Sequence, residues 1–564
     1  WDMYEAPDLN NTFNEWNQLD PLLQNFIMGT NNDIAHYNSK VQDSDITFYD
    51  IHFALNRNGE YSSTKISGYI GKSYIDTRLL SERRNVVSQQ PTFVFSEDRS
   101  EQVNSMINFE QNGILNARSD YWIKAYYTLS QFETDYQMIG DDSLSQNGIS
   151  PKEAFVYFTE LNSMNGVSAN NNDVSEFSLN TGLTYNFSPS SVLKVGLDPT
   201  VVRYDFTLSD LFYFPTTTSK TSYILSSFGQ LTHNLSNKTK ITLGTRGTYL
   251  PNNGNFYLEP RLTAEFFTDE TTIGYQSLKL STGLYRQFIN RFDLSSFGPS
   301  ALVPSYKFWQ ANDQTTEVPK AYHSVLSWNI STSDAFTLSL ESYYKWKPVN
   351  WRLNYHELLQ PQVLPGSVLE DQNAYFSKTE GFAYGGALTT KFVFNEPKLI
   401  LNLTHQVNIS KERIDNRFNE KMVHTEWSEP YSLTSFMNWN AFSNFNALIN
   451  INWTPIRYWA YNKAYYDYLG IHGETTFGNF DLATPENTTL PYHLRLDIGF
   501  NYSVMLNSGL QLEAKLDMVN ILDRANPVFY SLSPQLQSIN RVSYNRNTRT
   551  LPGFTPSLAI ELSF

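Results

Sequence analysis

The sequence predicts an all-β protein, a transmembrane antiparallel up-and-down β-barrel. Three observations carry that expectation: long segments of strict two-residue alternation, connections that take turns between short and long, and a composition rich in Tyr and Phe but poor in charge. The clearest segment is Thr555 to Phe564, where Leu558, Ile560, Leu562 and Phe564 share one face and Ser557, Ala559, Glu561 and Ser563 the other. From Tyr492 to Val504, Tyr492, Leu494, Leu496, Ile498, Phe500, Tyr502 and Val504 oppose His493, Arg495, Asp497, Gly499, Asn501 and Ser503. That run exceeds the usual strand of a soluble sandwich, whereas a tilted membrane-crossing strand needs about 9–11 residues. Leu510, Leu512, Ala514, Leu516 and Met518 then oppose Gln511, Glu513, Lys515 and Asp517, and further copies occur at 121–129, 177–187, 241–249, 256–266, 336–346 and 399–409. Aromatic residues sit near many strand ends, as an interfacial girdle requires.

Short turns are expected near 56–59, 188–191, 235–238, 269–273, 331–333, 395–397 and 507–509. Long connections are expected near 132–173, 288–318, 347–373, 411–430, 458–490 and 523–553. A barrel sorts its loops this way, with short periplasmic turns at one end and long loops at the other. From residue 45 onward the alternation yields roughly nineteen strands; since bacterial single-chain barrels have even numbers, the expectation is about 22 when complete. Residues 1–44 then read as a long extracellular loop and 45–564 as the barrel.

Composition excludes several classes. The 564 residues contain no cysteine, which rules out a disulfide framework and Cys-ligated metals. A formal charge of −15 argues against nucleic acid as a partner. No run of about 18 apolar residues exists, so no membrane-spanning helix is expected; the mean hydropathy of −0.41 is what strands with one lipid-facing and one wet side average to.

Four stretches resemble the barrel domain of TonB-dependent outer-membrane receptors, particularly the type found in Bacteroidota. They are Tyr257-Leu-Glu-Pro-Arg261, Gly283-Leu-Tyr-Arg-Gln287 with Glu317-Val-Pro-Lys-Ala-Tyr-His323 after a long loop, Leu340-Glu-Ser-Tyr-Tyr-Lys345, and Asp517-Met-Val-Asn-Ile-Leu-Asp-Arg-Ala-Asn-Pro527. The terminal Phe564 matches the assembly signal of outer-membrane barrels. The resemblance implies a place in the outer membrane among its lipids and lipopolysaccharide, uptake of a scarce solute such as a siderophore, haem, oligosaccharide or peptide, and displacement of a plug energised by TonB-ExbB-ExbD. It leaves room for a surface lipoprotein lid. No N-terminal plug domain is visible in this sequence. A passive porin and a barrel scaffolding surface lipoproteins or secretion partners remain the alternatives.

Within this frame Glu259, Arg261, Glu265, Arg495, Asp497, Glu513, Lys515 and Asp517 would face the lumen, as contacts for a plug or passing solute or as plain cross-strand pairs. Two aromatic-rich stretches read as loops suited to ligand capture: Trp346, Trp351 and Tyr355 in one, and Trp459, Tyr461, Tyr465, Tyr466 and Tyr468 in the other. Their bland alternative is loop packing. Ser150-Pro-Lys-Glu153 fits a capping box opening a helix from Pro151 to Met164. Pro260, inside a strand, should mark a bulge or bend. Asp43/Asp45 and Asp141/Asp142 offer oxygens for calcium but lack the spacing of a calcium loop. The histidines are scattered, and no phosphate loop, nucleophile elbow or dinucleotide fingerprint appears. No cofactor, metal site or catalysis is expected.

Overall fold

The computed structural model describes residues 35–563 except for 86–90, 142–143, 146, 162–165, 209–215, 270, 272–273, 295–305, 312–316, 333–334, 354–375, 415–420, 426–427, 460–487, 508 and 539–540. The first half of the wall comprises β1 (Ala35–Asn58), β2 (Ser62–Asn85), β3 (Pro91–Asn116), β4 (Ser119–Asp141), β5 (Gly166–Ser188), β6 (Ser191–Leu208), β7 (Thr216–Ser236), β8 (Thr239–Leu250), β9 (Asn255–Phe267) and β10 (Tyr275–Arg286). One helix, α1 (Pro151–Glu160), lies between β4 and β5. A small hairpin, β11 (Ile289–Leu294) with β12 (Tyr306–Ala311), forms a separate two-stranded sheet. The second half comprises β13 (Lys320–Thr332), β14 (Phe336–Leu353), β15 (Phe376–Phe394), β16 (Lys398–Ile414), the two-residue β17 (Val423–His424), β18 (Tyr431–Phe442), β19 (Phe445–Thr454), β22 (His493–Asn507), β23 (Leu510–Val519) and β26 (Thr555–Ser563). Two further pairs stand outside it, β20 (Arg457–Trp459) with β21 (Thr488–Leu490) and β24 (Pro527–Ser538) with β25 (Arg541–Thr550).

All wall strands belong to one 20-stranded sheet, and each pairs antiparallel with its neighbours in the chain. Setting aside β17 leaves nineteen long strands, in line with the alternation. Among the described residues β1 pairs only with β2 and β26 only with β23.

Register fixes which side chains share a face, since residues directly opposite in an antiparallel ladder point the same way. Ile66, Phe109 and Ala125 form one such row, and Leu278, Trp328 and Leu340 another. The outward face holds many of the large exposed hydrophobics among the described residues, including Ile70, Phe177, Leu243, Leu262, Leu280, Leu388 and Ile560. Two sheets stacked in a sandwich would bury such rows against each other. Here they face outward all along the wall, an apolar area that only lipid can cover. On β14 the apolar band runs from Phe336, packed on Phe392, to Trp346, packed on Tyr322. The opposite face carries Lys, Arg, Glu, Asn and Ser and lines the lumen.

Several expectations change. β1 begins at Ala35, inside the span expected as an extracellular loop; residues 1–34 lie outside the described residues. The long connections at 132–173 and 347–373 shrink because β4 and β14 continue to Asp141 and Leu353. Beyond the lipid their backbone stays satisfied by cross-strand pairing, while their side chains become polar on both faces and so lose the alternation that marks a strand. The connections at 288–318, 458–490 and 523–553 contain the paired strands β11/β12, β20/β21 and β24/β25. Pro260 causes no register shift: it stands opposite Thr245 in an unbroken β8–β9 ladder, and β10 pairing reaches only to Arg261. Its missing N–H therefore falls where no partner strand needs it. Asp43 and Asp45 lie in β1 opposite Arg78 and Asp76, in extended backbone rather than a calcium-binding loop.

Helix α1 starts at its capping box, with Ser150 accepting from the Glu153 N–H and Glu153 accepting from the Ser150 N–H. It ends at Glu160, earlier than expected. Its buried Phe158 stacks on Phe95 with ring centroids 5.7 Å apart, in a small core with Leu80, Phe93, Leu144 and Ala154.

Candidate functional site: the lumenal wall and the outer rim

The polar face is a network of cross-strand ion pairs. On β8 to β10, Glu265 takes Lys240 and Lys279 at 3.2 Å each. Arg246 reaches Asp198 at 2.9 Å, and Arg261 lies over the Tyr285 ring at 4.8 Å. Glu259 is buried and accepts the Arg286 backbone N–H at 2.8 Å. On the far side of the wall Arg495 holds Asp497 at 2.7 Å, and Asp497 also accepts the Asn520 N–H. Lys515 meets Glu513 at 3.2 Å and approaches Glu561 at 3.9 Å; Asn501 donates to Glu513. The register puts Glu259, Arg261, Glu265, Arg495, Asp497, Glu513, Lys515 and Asp517 opposite polar residues or glycine, away from the outward aliphatic rows. They form two groups, one on β9 and one on β22 and β23. Most of their charge is met by a neighbour on the wall, so the lumen offers a solute many weak polar contacts rather than one deep charged pocket.

The aromatic candidates fare differently. Trp346 is in strand β14, not in a loop. It lies on the outward face, stacked on Tyr322 at 5.3 Å, and its Nε1 donates to Glu380 at 3.2 Å. Trp351 is also in β14, opposite Lys378, and donates to the Glu317 carbonyl at 2.8 Å. Both are outward rim residues, as Trp at a membrane–water boundary should be, with one apolar body and one polar handle. Trp459 falls in β20, with its backbone opposite Thr488. Tyr355, Tyr461, Tyr465, Tyr466 and Tyr468 lie outside the described residues.

Sequence reasoning missed a lumenal cluster at the rim of β14 and β16. Arg352 pairs with Glu412 at 2.6 Å. Lys345 stands opposite His323, and Tyr343 donates to Asn408 at 2.6 Å. Both strand ends fall where the sequence predicts connections, near 347–373 and 411–430. The available signal was Pro348: the ladder slips between Lys347 and Asn350, so the residue that cannot donate sits in a bulge and the strand continues past it. Just outside β13, Glu317 receives Lys320 at 3.1 Å and Lys378 at 3.0 Å. Burial pushes its carboxyl up, but the hydrogen bonds from Lys378 and Lys320 outweigh burial and hold it below the usual glutamate range.

Against known proteins, no family model and no curated sequence matches this chain. Solved structures do. The ferripyoverdine receptor of the outer membrane of Pseudomonas aeruginosa superposes with a TM-score of 0.53 at 10% identity, covering 94% of this chain and 72% of the receptor. The ferric yersiniabactin uptake receptor FyuA of Yersinia pestis gives 0.51 at 10%, covering 95% and 81%. The copper transporter OprC gives 0.51 at 10%, covering 94% and 80%. The chain shares their barrel fold. At this identity the likeness concerns backbone architecture and transfers no binding residue.

Proposed function

We propose that this chain forms the wall of an outer-membrane receptor that takes up a scarce solute by TonB-dependent displacement of a plug. The supporting observation is the continuous outward row of exposed aliphatic and aromatic side chains backed by an ion-paired polar wall, in the fold shared by uptake receptors. Twenty or so strands enclose a channel wide enough to need a plug. In this reading the lumenal pairs on β9 and on β22–β23 are the surface a plug rests against. The one-sided edges of β1 and β26 are where further strands would join to reach an even number. The solute is a siderophore, haem, oligosaccharide or peptide.

The test is uptake-dependent growth of cells expressing the full-length protein, with TonB intact or deleted, across those four nutrient classes. Growth on one class that requires both the receptor and TonB is the expected result. A stable, large conductance of the full-length protein in planar bilayers, with TonB-independent growth, would replace this reading with a passive porin.

A further inference from the structure

Not every lumenal charge is met on the wall. One register row crosses β9, β10, β13 and β14 as Arg261, Gly283, His323 and Lys345, and reaches Ala383 on β15. Lys347 lies two residues further out on the same face of β14, opposite Gly381. Cross-strand neighbours are the first candidates to neutralise a charge in a sheet. Here they are Gly244 and Gly283 for Arg261, His323 and Ala383 for Lys345, and Gly381 for Lys347. Among the described residues none of these three cations makes an ion pair. Lys391, lower on β15, also lacks one, but it stands singly between Thr337 and Asn402.

Aromatic rings hold this row in place. The Arg261 guanidinium lies over the Tyr285 ring at 4.8 Å and the Arg286 guanidinium over Tyr257 at 4.7 Å, so β9 and β10 exchange arginine and tyrosine crosswise. Tyr285 also meets the His323 ring at 6.2 Å. Gly283 makes room for this: a Cβ there would come 3.1 Å from Arg261 Cγ and 3.2 Å from the Tyr285 ring. Stacking fixes the guanidinium plane and leaves its edge N–H groups for an anion, while the lysines supply mobile point charges. At and beyond this row the described lumenal face of β9 to β16 carries Arg261, Arg286, Lys345, Lys347 and Arg352 against Glu259 and Glu412. Arg352 is tied to Glu412, and Glu259 accepts the Arg286 backbone N–H. Glu341 lies lower on β14, with Tyr343 between it and Lys345 on that face. Lys345 adjoins Trp346 at the outer aromatic rim, so the row opens toward the outside.

We propose that Arg261 on one side and Lys345 with Lys347 on the other form a two-station anion site, and that the solute taken up carries at least two phosphate or carboxylate groups. The stations lie three strand spacings apart, about 14 Å, with Tyr285 between them to carry the uncharged part of the solute. This deepens the uptake reading and rests on it, and it leaves out neutral oligosaccharides. The test measures binding to the full-length protein in detergent micelles by titration calorimetry, without TonB. The probes are linear hexaphosphate, a glutamate hexapeptide and, as the neutral control, a glutamine hexapeptide. Hexaphosphate, the glutamate peptide or both should bind, more weakly as salt rises, and the tighter of the two names the anion. Lys345→Gln/Lys347→Gln and Arg261→Gln should each lower that affinity about tenfold. Lys345→Arg/Lys347→Arg and the control Lys391→Gln should bind as the native protein does. Heat-modifiable mobility on gels reports folding; if Arg261→Gln does not fold, the comparison of the two lysine double variants decides. Absence of binding by both anions, equal binding of the glutamine peptide, or native affinity in the Gln double variant would overturn the proposal. TonB-dependent growth on a neutral solute would overturn it while leaving the uptake reading standing.

Discussion

Strands β1 to β4 and strands β13 to β16 do the same job with different materials. The first group runs 23–26 residues per strand, the second 13–19, whereas a lipid crossing needs about 9–11. The extra length in the first group takes one outward face through three media. At the bottom Ile66, Ile70 and Ile107 meet lipid. Above them Arg78 bridges Asp76 at 2.6 Å and Glu97 at 2.9 Å, with Arg99 on Glu97 at 2.7 Å. Higher still, Leu80, Phe93 and Phe95 turn apolar again, and α1 covers them. In β13 to β16 the face goes from lipid to the ion-paired Lys378 and Arg413, and on β15 it then ends on the buried Phe376, packed on Phe292 of the β11–β12 hairpin at 4.5 Å. Period-two alternation tells which side chains share a face, but the medium that covers that face is set by height and by what packs there.

The small core beneath α1 is the sharpest point of difference. Phe158→Ala removes the ring stacked on Phe95 from a fully buried site and should cost about 3–5 kcal/mol. Its local origin is the informative part. The helix should detach while the barrel persists, so proteolysis near 144–161 should accelerate with heat-modifiable mobility unchanged. Loss of both together would mean that α1 is part of the barrel's own folding unit.

Next in size is a charge placed in the lipid band. Leu340 sits near the middle of the outward row between Phe336 and Trp346. Leu340→Arg should cost about 2–4 kcal/mol by denaturant titration in lipid, while Ser339→Arg, its neighbour on the polar face, should cost little. Equal effects at the two positions would reverse the assignment of faces.

Legibility in the sequence follows the same division. Leu494, Leu496, Ile498, Phe500 and Tyr502 read as one face and do share the outward row, because inside the membrane only one side can be oily. The strand ends above the membrane did not read, because ion pairing lets the buried Asp76 and Glu97 face outward beside Arg78 and Arg99 where a lipid-facing strand would continue with aliphatic residues. Trp346 was mistaken for a loop residue for the same reason: Lys347 and Pro348 beside it signal a connection, whereas the chain makes a bulge and keeps pairing. The lumenal charges were readable as a face. Their partners, such as Lys240 and Lys279 on Glu265, came only with the register.

Ser150→Ala should weaken α1 by about 1 kcal/mol, less than Phe158→Ala, because it removes one of the two capping-box bonds and leaves the packing intact.

The smallest effect is a pH dependence confined to the same helix. The hydrogen bonds from Ser150, side chain first and backbone second, hold the Glu153 carboxyl below its ordinary value. A carboxyl lower in the folded helix than in the unfolded segment adds stability that is complete above the ordinary glutamate range and lost as pH falls through and below it. Protection of the α1 amides from hydrogen exchange, referenced to β13–β16 amides, should therefore decline slightly between neutral pH and the acid side of that range. Glu153→Gln should flatten the decline, since a Gln at this position can still accept from the Ser150 N–H but does not titrate. A decline of the same size in the Gln variant would place the acid sensitivity elsewhere in the protein.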